Sequence, residues 1–107
     1  MSNLSRLSDQ NITDPILRAH YYQRVIEYTE LAESNLTEYT IKPDEQYRPD
    51  LVAYRALGSA ELAWLVTLVC EVDDVAEPLP VGAECEFPQA GWVRTSMREF
   101  MDEFGLS

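Results

Sequence analysis

Residues 39–88, YTIKPDEQYRPDLVAYRALGSAELAWLVTLVCEVDDVAEPLPVGAECEFP, decide the fold. Tyr39, Thr40 and Ile41 have the aromatic and β-branched composition of a strand. Pro43 stops it, because proline cannot donate to a ladder. Pro49 suits a first helical turn and Asp50 favours the positive end of the helix dipole. Leu51, Val52, Tyr54 and Leu57 then supply an apolar side, and Gly58 ends the helix. Ser59 caps a second predicted helix over residues 60–72, AELAWLVTLVCEV, which is apolar nearly all the way round and needs cover on several sides. Asp73 and Asp74 open an acidic, proline-containing loop. VGAECEF follows, with Ala83, Cys85 and Phe87 facing one way and Glu84 and Glu86 the other, the pattern of a strand with one wet face. The expectation is an α+β domain whose core runs strand, helix, helix, strand around a two-stranded antiparallel sheet.

Outward from this core, the N-terminal side divides in two. Residues 1–13 are polar with widely spaced Leu4, Leu7 and Ile12, and read as an extended arm that orders on a partner. Residues 14–38 hold a helix and a linker. Asp14 and Pro15 form a helix-start signal, and Leu17, Tyr21, Val25, Tyr28 and Ala32 fall on one face of a helix expected over residues 14–33. A break over residues 35–38 precedes the first strand.

The C-terminal tail, residues 89–107, ends in a short amphipathic helix. Ser96 and Glu99 stand in capping-box spacing, and Met97, Phe100, Met101 and Phe104 recur at helical intervals. A helix this short is below the roughly 12 to 15 residues at which isolated helices become marginal, so its apolar face must dock on its own core or on a partner.

The composition narrows the function. A chain of 107 residues has length for one modest core. Eight Lys and Arg against 19 Asp and Glu give a formal charge of -11, the larger share within residues 39–88. Phosphate backbones and anionic membranes are repelled by such a surface, so neither nucleic acid nor membrane is an expected partner. The apolar run at residues 62–70 falls far short of the roughly 20 residues needed to cross a bilayer, and the N-terminal sequence lacks a signal peptide's apolar core, so synthesis in a cytoplasm is expected.

Candidate chemistry is sparse. Cys70 and Cys85 have no CxxC spacing and no histidines beside them, so no metal or other cofactor is expected; they read as buried thiols, with a disulfide between them left open. Glu84 with Glu86, or Asp73 with Asp74, could be weighed as hydrolytic carboxylates, but solvated carboxylates on a wet strand face have no cause for a raised pKa. His20 has no nucleophile beside it in sequence, and no GxSxG, P-loop, HExxH or GxGxxG motif occurs. The chain is not expected to be an enzyme. Trp64 reads as a core anchor or a partner contact, and Trp92, just beyond the closing strand, as an interface anchor.

The ordered pieces resemble a LysM domain. YTIKP at residues 39–43 looks like its opening strand, LVAYRALG at 51–58 like its first helix, and LPVG at 79–82 followed by EFP at 86–88 like its closing proline-glycine signature. RPDLVAY at 48–54, with Gly58 and LAWL at 62–65, is similar to LysM-like baseplate wedge and tail proteins of contractile-tailed bacteriophages; Ala56 and Leu57 replace the aromatic pair usual there. The resemblance spans residues 39–88. It implies a virion structural protein at the tail or baseplate, docking wedge or hub subunits in multiple symmetric copies. The residues then expected at partners are Leu4, Leu7, Tyr47, Arg48, Trp64, Trp92, Met97, Phe100, Met101 and Phe104. The alternative implied by the same likeness is a peptidoglycan-binding module, with a groove between residues 44–47 and 73–81 and with Asp44, Tyr47, Asp74 and Leu79 as glycan contacts. Glu45 and Asp73 would crowd that groove with further negative charge.

Overall fold

A computed structural model describes residues 7–31, 33–74 and 76–105. The protein is α+β, with helices α1 (Pro15–Thr29), α2 (Pro49–Leu57), α3 (Ala63–Val69) and α4 (Ala90–Glu103) and strands β1 (Leu36–Thr40) and β2 (Glu84–Pro88). The expected strand, helix, helix, strand order is present as β1, α2, α3, β2. The two strands are antiparallel, with Glu38 opposite Glu86 and Tyr39 opposite Cys85. Because side chains alternate across a strand, Phe87, Tyr39 and Cys85 face the core while Glu38, Glu84 and Glu86 face water. The ladder is extended by the Ile41 amide, which donates to the Ala83 carbonyl (3.0 Å), and by the Gly82 amide, which donates to Ile41 (2.8 Å). Gly82 turns the chain there at φ +86°, a backbone region that suits glycine.

Local signals account for several boundaries. The Asp14 carboxylate accepts from the Ile16 amide at 2.8 Å, and Pro15 opens α1. Gly58 closes α2 in the left-handed conformation, donating to the Tyr54 carbonyl at 3.0 Å. Ser59 caps a single 3-10 turn, Ala60–Leu62, that leads into α3.

Other boundaries differ from the sequence reading. Helix α1 stops at Thr29, because the chain must reverse: Ser34 donates to Leu31, and the Asn35 amide donates to the Tyr28 hydroxyl at 3.1 Å. Ala32, expected on the α1 face, lies outside the described residues. Strand β1 begins at Leu36, within the stretch read as a break, because Pro88 and Phe87 offer partners to Leu36 and Thr37. In α2, Tyr54 points to solvent and Val52 and Ala53 form the buried side.

Helix α3 ends three residues early in a Schellman motif. The Val72 amide donates to Thr67 (2.9 Å) and the Glu71 amide to Leu68 (3.3 Å). Glu71 occupies the left-handed position at φ +57°, where glycine is usual.

The two termini depart furthest. Residues 7–13 are not a free arm: Leu7 and Ile12 are buried, a 3-10 turn covers Asp9–Asn11, and the Trp64 indole N–H donates to the Leu7 carbonyl at 2.8 Å. The Tyr22 hydroxyl donates to Asp9, and Arg18 Nε donates to the Ile12 carbonyl at 2.9 Å. Helix α4 starts at Ala90, not at Ser96. Ser96 is buried in its middle, paired with the Tyr21 hydroxyl at 2.9 Å and donating to Val93 at 3.2 Å, so it cannot serve as a cap. The T-shaped Tyr21–Phe100 pair, 5.5 Å between centroids, and the stacked Tyr28–Trp92 pair at 4.0 Å fasten α4 to α1. Burial pushes the Tyr21 hydroxyl up to about 12, beyond what the Ser96 bond offsets, so it stays a neutral donor.

Candidate interaction surface

The loop after β1 and the loop before β2 flank the groove that the resemblance would assign to sugar. The charges of the first loop are already committed. Glu45 is fully buried and accepts from the Lys42 amide (2.7 Å), the Tyr39 hydroxyl and Arg55 Nη1 (2.9 Å). Burial alone would raise its pKa; the bonds from Tyr39, Lys42 and Arg55 outweigh burial and hold it below the ordinary carboxylate value. Arg55 also forks onto both oxygens of Asp44, at 3.2 and 3.0 Å, and that bond holds the Asp44 carboxyl low as well. Lys42 lies over the Tyr39 ring, 4.4 Å from its centroid, and donates to its hydroxyl at 3.1 Å. The loop is therefore a closed ionic clasp on α2.

The opposite wall is tied to it. The Leu79 amide donates to the Gln46 carbonyl at 2.6 Å, and the Leu79 side chain is buried, so it is not a glycan contact. Asp74 accepts from the Ala76 amide in a local turn at 2.9 Å. Of the proposed sugar contacts, Tyr47 is the one aromatic ring, and it stands 56% exposed. Arg48 pairs with Asp50 at 3.1 Å, which holds the Asp50 carboxyl low.

The expected partner contacts separate into buried and exposed sets. Met97 and Phe100 lie in the core and are corrected from docking residues to packing residues, since α4 closes over α1. Leu7 is likewise buried, and Leu4 lies outside the described residues. Trp64 is half-buried, 5.9 Å from the Tyr22 ring and 6.1 Å from Tyr21, which fits the core-anchor reading. Trp92 is covered on one face by Tyr28. Met101 packs against the core, and Phe104 remains 45% exposed.

Sequence reasoning missed three features. Tyr54 is 64% exposed on α2. Glu38 and Glu86 stand directly opposite on the wet face of the sheet, with no ion-pair partner among the described residues, beside an open depression of about 490 Å³ also lined by Leu31, Asn35 and Leu36. Arg55 organises the clasp across a separation of ten and eleven residues, which no local motif reveals. His20 is exposed, and no group of three or more metal-ligating side chains occurs among the described residues. No described helix is long and apolar enough to cross a membrane. Comparison with family models, with curated proteins and with solved structures found no match to this chain.

Proposed function

We propose that this chain is a LysM-like structural adaptor of a contractile phage tail, docking baseplate wedge or hub subunits to one another through protein contacts. The observation that carries the reading is the pairing of a tied groove with exposed aromatics. The Leu79–Gln46 bond joins the walls where a sugar would lie, while Tyr47 and Tyr54 stay more than half exposed. Tyrosine is enriched at interface hot spots, where a broad ring adds contact area at little entropic cost. The charge of -11 would keep free copies apart until they meet complementary subunits.

The test is a Tyr47→Ala/Tyr54→Ala double variant. The adaptor reading expects an unchanged circular dichroism spectrum and loss of incorporation into tail particles; normal incorporation would overturn it. Retention of the unmodified chain on insoluble peptidoglycan, abolished by Tyr47→Ala alone, would instead establish the glycan module.

A further inference from the structure

We propose that Cys70 and Cys85 are a redox modification site, closing to an intramolecular disulfide that clamps the end of α3 to β2. The two Sγ atoms lie 3.5 Å apart as free thiols. A disulfide bond is about 2.05 Å long, so closure needs an approach of roughly 1.5 Å. The surroundings permit it. Cys70 is the C-cap of α3, where helical hydrogen bonding ends, and Cys85 sits on the core-facing side of β2 opposite Tyr39. Both are half-buried, and both already pack against the core, so the bond would join elements that are in contact. The segment it would close carries Asp73, Asp74 and Leu79, the wall tied to Gln46. The inference stands apart from the docking reading, since it rests on the thiol pair alone.

The chemistry balances with a small-molecule disulfide as oxidant. One thiol of the pair loses its proton and attacks one sulfur of glutathione disulfide, expelling one glutathione thiolate. The other thiol then gives up its proton and attacks the protein sulfur of the mixed disulfide, expelling the second glutathione. Two protein thiols are oxidised by two electrons and one glutathione disulfide is reduced to two thiols. Burial, reinforced by the hydrogen bond with Cys85, pushes the Cys70 thiol up to about 12, so the exchange speeds up as pH rises.

The experiment equilibrates the full-length chain in glutathione redox buffers of increasing oxidising ratio, with intact mass, alkylation after unfolding and thermal melting as readouts. The expected product is a monomer lighter by two hydrogen atoms that takes no alkyl group. Its melting temperature should exceed that of the reduced chain by on the order of 10 °C, because a cross-link over a loop of this size restricts the unfolded chain. Cys70→Ser and Cys85→Ser should each lack this oxidant-dependent rise in melting temperature across the buffer series. Stable glutathione adducts, intermolecular dimers, or a wild-type chain that keeps two alkylatable thiols in the most oxidising buffer would each overturn the proposal.

Discussion

Replacing Glu45 with glutamine tests whether the ionic clasp holds the β1–α2 loop by charge or by shape. The amide keeps the size of the side chain and one acceptor oxygen for the Lys42 amide, but its NH2 then faces Arg55 Nη1 with no lone pair to offer. A hydrogen bond to a charged group contributes about 1.5 to 3 kcal/mol. Arg55 is 37% exposed and can turn to Asp44 or water, which puts the expected loss at the lower part of that range, about 2 kcal/mol. For a domain of this size that is a fall in melting temperature of about 8 to 16 °C. The pH dependence separates the two explanations. Glu45 titrates below its ordinary value of 4.5 in the folded chain, so its contribution is complete above that value and is lost as pH falls through the folded value. Urea unfolding across a descending pH series should therefore show a stability gap between parent and variant that is full at neutral pH and narrows in acid. Equal stability at neutral pH, or a gap that persists unchanged in acid, would refute the electrostatic account.

Glu71→Gly should stabilise the chain by about 0.5 to 1 kcal/mol, because it removes a side chain from a left-handed position and an anion from the negative end of α3; thermal melting that shows no gain would count against it. Trp64→Phe should cost about 1 kcal/mol by deleting the indole donor to Leu7, with faster amide exchange concentrated in residues 8–12; uniform exchange along the chain would mean the N-terminal segment is held by other contacts.

The parts of the fold legible in the sequence are those decided within a few residues. Asp14 with Pro15, Gly58 and the Glu84–Phe87 alternation all act on neighbouring backbone and perform as read, whereas Ser59 caps a 3-10 turn ahead of α3 and not the helix itself. Boundaries set by distant partners were not legible. Leu36 is a strand residue because Pro88 lies opposite, Ser96 is a core residue because Tyr21 meets it, and Leu7 is anchored because Trp64 donates to it. The end of α3 was hidden because glutamate occupies a position where glycine would have announced the turn. The candidate surface was partly legible for the same reason. Tyr47 could be read as exposed from its polar loop, whereas the fate of Asp44 and Glu45 depended on Arg55, one helix away.

The fastening of α4 onto α1 bears on how the chain comes off the ribosome. Tyr21 meets Ser96 across 75 residues of sequence, and Arg24 meets Glu103 across 79. At the usual pace of synthesis, about 5 to 20 residues per second, roughly 4 to 15 seconds separate the emergence of these partners. During that interval Tyr21, Arg24 and Tyr28 lack their partners on α4, so α4, made later, completes the burial of this face of α1. A nascent chain stalled before α4 therefore presents the surface on which chaperones and neighbouring nascent chains act.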